Sequence, residues 1–339
     1  MKLSIIIANW NGASFLKECL QSLALQMEEG FEVLVVDNGS HDHSCEMIQT
    51  NFPFVLLIEN NENLGFAKAN NLGIKAAKGE YVITINNDTR LEQGFLTLLL
   101  SAAEKEEPHV GMWAPKILCM DAPHRIDSVG GLLLYPDGIG RGRGRNDIDQ
   151  GQYDHIRDIF FPSACAAMYR RSMLLDVGGF DDSFFAYCED TDLGLRSRLL
   201  GWEAKSVPMA IIYHHYSGTT GKYASKKAYL VERNRQWVVL KNFPCACLLA
   251  SPLYTLWRFA VQGYGVFSGK GTAHKIVSGA GKGSILKNML ASYKDAILKF
   301  SKVFRDRLLI QKRRKISDRQ LRALMKKNSV SAVELVLKE

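Results

Sequence analysis

The stretch Phe184-Phe185-Ala186-Tyr187-Cys188-Glu189-Asp190-Thr191-Asp192 sets three carboxylates directly behind a bulky apolar run. Leu193, Leu195, Leu199 and Leu200 follow, with Arg196 and Arg198 between them and Gly201 behind, so the acids fall in the first turn of a short amphipathic helix. A helix N-terminus favours one or two acidic side chains through its free amides and its dipole. Three of them, emerging from Phe-Phe-Ala-Tyr, point to a partly desolvated cleft in which a carboxylate serves as a general base. Two more acidic positions stand in polar clusters: Asp37 in Asp37-Asn38-Gly39-Ser40 and Asp88 in Asn86-Asn87-Asp88. One carboxylate and one imidazole can share a divalent cation whose remaining sites are filled by diphosphate oxygens, and His214, after the apolar run Ala210-Ile211-Ile212-Tyr213, is the partner expected for Asp88.

Strands and helices must bring these groups together. Leu3 to Ala8, Phe31 to Val36, Val55 to Ile58 and Tyr81 to Ile85 read as strands. Helical patterns separate them: Ala13 to Gln26, with Phe15, Leu16, Cys19, Leu20 and Leu23 on one face, and Phe66 to Lys78. Strand, helix and strand at this spacing form βαβ units, so the sheet is mainly parallel and polar residues stand at the C-terminal ends of its strands, where open α/β sheets bind ligands. Residues 90–106 read as a further helix and Val110 to Pro115 as a strand.

The segment from Asp121 to Asp158 has little regular pattern and contains Gly138-Ile139-Gly140-Arg141-Gly142-Arg143-Gly144-Arg145. It reads equally as a solvated insertion or as a mobile lid whose arginines approach phosphates; an RNA-binding Gly-Arg tract is the weaker option, because no aromatic residue interleaves it.

At 339 residues and 47% hydrophobic content the chain exceeds one average domain and has ample core. Its formal net charge of +8 conceals an asymmetry: residues 222–339 hold 25 Lys and Arg against 6 Asp and Glu, and residues 1–221 hold 18 against 29. An acidic first part suits a metal-assisted catalytic unit, and a basic second part suits an anionic membrane surface or nucleic acid. No nucleic-acid motif supports the latter, so nucleic acid is not expected as a partner. Three regions follow: a catalytic domain over 1–221, a helical region over 222–301 and a basic helical tail over 302–339.

Seven scattered cysteines without metal-type spacing imply a reducing, cytoplasmic setting. Met1 to Ile7 is a core strand rather than a signal peptide, since Asn9 and Asn11 follow at once. Cys245 to Trp257 is apolar but short and broken by Pro252, below the roughly 18 residues needed to cross a bilayer, which makes an interfacial or packed helix the expectation. Together with the basic run Lys312-Arg313-Arg314-Lys315, it favours attachment to anionic lipid at the inner face of a cell membrane.

The segments Ser4-Ile5-Ile6-Ile7-Ala8-Asn9-Trp10-Asn11, Val35-Val36-Asp37-Asn38-Gly39-Ser40, Asn63-Leu64-Gly65-Phe66-Ala67, Gly79-Glu80-Tyr81 with Asn86-Asn87-Asp88, Gly178-Gly179-Phe180-Asp181 and Glu189-Asp190-Thr191-Asp192 occur in order. As a set they resemble a family 2 glycosyltransferase of the GT-A fold, in particular the bacterial rhamnosyltransferase-like branch, over about residues 3–245. The resemblance implies a mainly parallel Rossmann-like sheet with flanking helices and an inverting transfer from a nucleotide-diphosphate sugar, dTDP-rhamnose or a UDP-sugar. The acceptor implied is a glycan or lipid-linked glycan of the cell surface.

Donor contacts would come from Ala8, Trp10, Asp37, Gly65, Asn87 and Asp88, with Asp37 on the nucleobase and Trp10 stacking where a tyrosine is usual. Asp88 and His214 would hold Mg2+ or Mn2+; Asn86 replaces the first Asp of the family's Asp-x-Asp motif, and His215 is an alternative to its neighbour. Asp190 would be the base, ahead of Glu189 and then Asp192. Glu189 and Asp192 are placed on the acceptor side, with helix capping or pairing to Arg196 as the other roles of Asp192.

A noncatalytic sugar-binding module of the same fold is the competing expectation, and intact Asp88, Asp190 and His214 argue against it. A dehydrogenase or kinase is disfavoured because Ala8-Asn9-Trp10-Asn11-Gly12 lacks the Gly-x-Gly-x-x-Gly turn. Gly279-Ala280-Gly281-Lys282-Gly283-Ser284 likewise lacks the Lys-Ser/Thr pair of a P-loop.

Overall fold

The computed structural model describes residues 1–215, 224–270 and 282–338; Gly279 to Gly281, singled out above, lie outside them. In chain order the elements are β1 (Leu3–Asn9), α1 (Ala13–Ala24), β2 (Phe31–Asp37), α2 (Ser44–Asn51), β3 (Val55–Glu59), α3 (Gly65–Ala76) and β4 (Tyr81–Asn86). There follow β5 (Thr89–Leu91), α4 (Phe95–Glu104), β6 (Val110–Cys119), β7 (Ala122–Ser128), β8 (Leu132–Leu134), β9 (Gly140–Gly142), β10 (Asp158–Ile159), β11 (Ala166–Arg170), α5 (Arg171–Val177), α6 (Glu189–Leu199) and β12 (Glu203–His214). The helices α7 (Ala224–Asn242), α8 (Cys245–Phe267), α9 (Lys282–Leu298), α10 (Phe300–Arg313), α11 (Asp318–Lys327) and α12 (Ala332–Leu337) complete the chain. They form two compact units: residues 1–131, 142–186 and 202–219, and residues 132–141, 187–201 and 220–339.

The first unit is built on one mixed sheet in the order β10-β12-β6-β11-β4-β1-β2-β3. The block β3-β2-β1-β4 is wholly parallel, β11 runs against both β4 and β6, and β12 is parallel to β6. Such a block is buried on both faces, which is why β1 and β2 read as near-continuous apolar runs rather than alternating ones. Leu16, Cys19, Leu20 and Leu23 of α1 are buried at helical spacing against Ile5, Ile7, Val33, Val35 and Ile83. Each such side chain contributes about 1.5–3 kcal/mol on leaving water.

Two local expectations are corrected. The helix expected from residue 90 begins only at Phe95, because Thr89 to Leu91 pair with β12 and Gly94 takes a left-handed conformation that interrupts the run. The segment 121–158 is ordered as β7, β8, β9 and a bridge between Arg125 and Ile148, and its arginines serve the fold. Within the first unit Arg143 donates to the carbonyl of Gly130 and Arg145 pairs with Asp127, whereas Arg141, in the second, donates to the carbonyls of Leu335 and Lys338. Guanidinium groups bound this way tie loops down, so the readings as a solvated insertion and as a lid both give way to a structural one.

The second unit is helical. Its basic C-terminal segment is not a detached tail: Arg307 of α10 donates to the carbonyls of Leu240 and Phe243, and Lys315 donates its amide to Leu199. Val330, Ala332 and Val336 share an apolar cluster with Leu133, Tyr135 and Val261 of α8. Beside that cluster Arg258 is wholly buried between Asp137 at 2.6 Å and Glu232 at 2.7 Å, and Glu232 also holds Arg235 at 2.7 Å. Contrary to expectation, α8 is not broken at Pro252 but runs for 23 residues. Among the described residues no helix is long and apolar enough to cross a membrane.

Candidate active site

The register of the parallel block lines up the polar ends of its strands: Asn9 lies opposite Asp37, and Ala8 opposite both Val36 and Asn86. Strand order reverses between β1 and its neighbours β2 and β4, the place where open sheets leave a crevice for a ligand. Asn9, fully buried, joins the two sides: its Nδ2 donates to Asp37 Oδ1 at 2.9 Å, and its Oδ1 accepts from Asn87 Nδ2 at 2.8 Å. Asp37 Oδ1 also accepts from the hydroxyl of Ser40, and Oδ2 from its amide. Ala8 is half-buried, whereas Trp10 is exposed. Gly65 sits at φ +82°, and a Cβ there would come within 2.5 Å of the carbonyl oxygen of Phe185, so only glycine lets this loop approach.

His214, at the end of β12, is paired in the sheet with Thr89, one residue beyond Asp88. Its Nδ1 lies 2.7 Å from Asp127 Oδ2 on β7, and its Nε2 lies 3.3 Å from Asp88 Oδ1. All three are buried, and the other oxygen of Asp127 meets Arg145 at 3.2 Å. Burial disfavours a charged imidazole, but the neighbouring Cys165 and hydrogen bonds to Asp127 and Asp88 outweigh it and hold the His214 pKa well above its usual value. Apart from the His214 ring nitrogen, Asp88 Oδ1 has no hydrogen-bond partner although it is shielded from water.

A carboxylate oxygen left in that condition beside an imidazole whose other nitrogen is oriented by a carboxylate fits a divalent cation. Among the described residues no set of three or more His, Cys, Asp or Glu side chains converges on a point, so a cation at this pair would need further ligand oxygens to complete its shell. His215 is turned to other partners: its ring nitrogens meet Glu18 at 3.8 Å and Asp121 at 3.4 Å, and it packs on Phe15.

The second unit holds the three acids in the first turn of α6, behind Cys188 in a left-handed conformation. Tyr187 is left-handed too, and its carbonyl accepts from Asn234 on α7. Positive φ at two consecutive side-chain-bearing residues costs of order 1–3 kcal/mol each and aims the helix start. Asp192 is fully buried: Oδ2 meets Arg196 at 2.7 Å and Lys241 at 3.0 Å, and Oδ1 accepts from Asn242. The acceptor-side role expected for Asp192 is therefore withdrawn in favour of the ion pair with Arg196.

Asp190 is partly exposed, and its Oδ1 accepts from the amide of Thr191 at 2.7 Å. Glu189 is buried with Oε2 unpartnered; burial, with the charge of Asp190, pushes its pKa from 4.5 up to about 8. Glu189 is then a neutral acid near pH 7.

Comparison with known proteins decides what this arrangement belongs to. The family model described as Glycosyl transferase family 2 matches residues 4–178, just over half of the chain. The chain belongs to glycosyltransferase family 2. Among relatives of this glycosyltransferase is the N-acetylglucosaminyl-diphospho-decaprenol L-rhamnosyltransferase of Mycobacterium tuberculosis, 27% identical over 280 residues that cover 69% of this chain and 86% of the relative.

Among solved structures, S. aureus TarS 1-349 in complex with UDP-GlcNAc matches with a TM-score of 0.55 at 19% identity, covering 97% of this chain and 89% of that one. The mannosyltransferase PcManGT from Pyrobaculum calidifontis, in complex with GDP-Man and Mn2+, matches with a TM-score of 0.50 at 17% identity, covering 88% and 87%. The fold of the glycosyltransferase is thus the mixed α/β GT-A fold.

In this glycosyltransferase the structure joins Asp37, Asn87, Asp88 and His214 through Asn9 and Asp127 in the first unit, whereas Glu189, Asp190 and Asp192 lie in the second. Asp127 carried no signal beyond being an acid in a segment without evident pattern. Asn9 stood one residue past the strand read over Leu3 to Ala8, and its signal was an amide directly behind an apolar run, a residue type that needs a partner when buried.

Proposed function

We propose that the chain is an inverting glycosyltransferase that moves a sugar, rhamnose from dTDP-rhamnose first among the candidates, to a hydroxyl of a glycan or lipid-linked glycan. The observation that carries this reading is the buried pair of Asp88 Oδ1 and His214 Nε2, 3.3 Å apart, at the crevice of the parallel block. Asp88 and His214 would hold Mg2+ or Mn2+, and the cation when bound supplies charge that stabilises a departing diphosphate. Trp10 is exposed for stacking on the base beside Ala8. Asp37 Oδ2, which accepts one amide, keeps a lone pair for a base N–H, and Asn87 and Gly65 complete the donor set.

Asp190 takes the proton of the acceptor hydroxyl as its oxygen bonds to the anomeric carbon. The bond from that carbon to the diphosphate oxygen breaks on the opposite face, which inverts the centre. Glu189, as a neutral acid, donates a hydrogen bond on the acceptor side. A lipid-linked acceptor is supported by the name of the mycobacterial relative, and the basic second unit suits work at the inner, cytoplasmic face of a cell membrane.

The test is a panel of dTDP-, UDP- and GDP-sugars, with binding measured by calorimetry and transfer to a polyprenyl-diphosphate-GlcNAc acceptor by mass spectrometry, with and without EDTA. Tight binding and transfer of one sugar, lost in chelator, is expected. Binding without transfer or hydrolysis of any donor would favour a sugar-binding module, and full turnover in chelator would remove the cation.

A further inference from the structure

Helix α8 carries two opposite faces. Ser251, Thr255, Arg258, Val261 and Gly265 are buried, and on the other side Leu249, Leu253, Leu256, Trp257, Tyr264 and Phe267 stand exposed, Phe267 at 94% and Leu249 at 80%. At 100° per residue these six fall within a stripe roughly 100° wide running the length of a helix about 35 Å long. Arg258, the one charged residue of α8, points inward to Asp137 and Glu232, so the exposed stripe bears no charge. A contiguous apolar surface of this kind marks an interaction site.

Charge on the same unit bears on what could cover it. Lys302, Arg305, Lys312, Arg313, Arg322 and Lys326 are exposed on α10 and α11, and α10 adds an apolar stripe of its own in Phe300, Phe304 and Leu308. Residues 222–339 hold 25 basic against 6 acidic side chains. Two copies joined through the α8 stripe would bring two such positive units together, a repulsive arrangement. An anionic bilayer instead offers hydrocarbon to the stripe and phosphate to the cations, and Trp257, Tyr254 and Tyr264 are the amphipathic rings that settle at a membrane interface.

We propose that the exposed face of α8, from Leu249 to Phe267, lies in the plane of an anionic lipid surface with its apolar side chains among the upper acyl groups. This rests on the membrane attachment in the function proposed above and names the surface responsible.

The experiment is co-sedimentation of the full chain with phosphatidylcholine vesicles, with and without phosphatidylglycerol, comparing wild type with L253E/W257E and following tryptophan emission in W257F. Both changed positions are exposed, and matching circular dichroism and melting would establish that the variants fold. Wild type is expected to bind the anionic vesicles, more weakly in high salt. L253E/W257E should bind at least on the order of tenfold more weakly, since each large apolar side chain contributes about 1.5–3 kcal/mol on burial, and W257F should lose most of the blue shift. Equal binding by L253E/W257E would overturn the assignment of α8 while leaving membrane attachment standing. Failure of wild type to bind any vesicle would overturn both. A dimer that L253E/W257E dissociates, without vesicle binding, would assign the face to a second copy and overturn the lipid proposal.

Discussion

Nδ1 of His214 lies 2.7 Å from Oδ2 of Asp127, so that the ring is oriented by a carboxylate and its Nε2 is turned toward Asp88. A carboxylate behind an imidazole raises its basicity and fixes its rotation. D127N keeps the size of the side chain and removes the charge. It should weaken Mn2+ binding in the presence of a nucleoside diphosphate by about 10–100-fold with little change in the fold. Calorimetric titration of Mn2+ into wild type and D127N checks this; equal affinities would reduce the pair to a structural contact.

Asp190 is partly exposed at the start of α6, with one oxygen spent on the amide of Thr191. In the proposed reaction a base in that position takes the proton and does not hold the donor. D190N should lower kcat by on the order of 10²–10⁴-fold, the usual contribution of general base catalysis, and leave nucleotide-sugar affinity within about twofold. Rates with the best donor of the panel, alongside donor titration, give the comparison. A turnover near that of wild type would move the base elsewhere.

How far the sequence spoke for itself depended on how local the determinant was. The parallel block was legible because β1, β2 and β4 are buried on both faces and had to be apolar runs ending in polar turns. Asp88 and His214 could be paired before their contact was seen because each ends such a run. Asp127 could not, since β7 owes its place to pairing with β6 through irregular register rather than to any pattern of its own. The fate of Arg141, Arg143 and Arg145 was equally hidden: which carbonyls and carboxylates would take them is a matter of tertiary contact. Asp192 shows the same limit, for its partners Lys241 and Asn242 lie some fifty positions away on α7.

That burial makes Asp192 a stability residue. Arg196 and Lys241 are buried around one carboxylate, and its loss leaves them to share a site without it. Breaking a buried pair by deleting one partner costs about 3–5 kcal/mol. D192A should therefore lower the urea midpoint strongly. D192N, which can still accept from Asn242, should fall between D192A and wild type. A variant as stable as wild type would show that the cations find water instead.

Glu189 links the site to pH. Its carboxyl, raised by burial and by Asp190 to about 8 from an ordinary 4.5, holds a proton in the folded chain that the unfolded chain has already lost. Stability is therefore unaffected below about 4.5, falls progressively as pH rises toward 8 and levels off beyond it. E189Q carries a neutral side chain throughout, so it should match wild type in melting temperature at pH 4.5 and exceed it at pH 8.5, by on the order of 5 °C. Scanning calorimetry at the two pH values reads the difference directly. A constant offset between E189Q and wild type across the range would mean that Glu189 ionises near its ordinary pKa, and its role as a neutral donor beside Asp190 would fall with it.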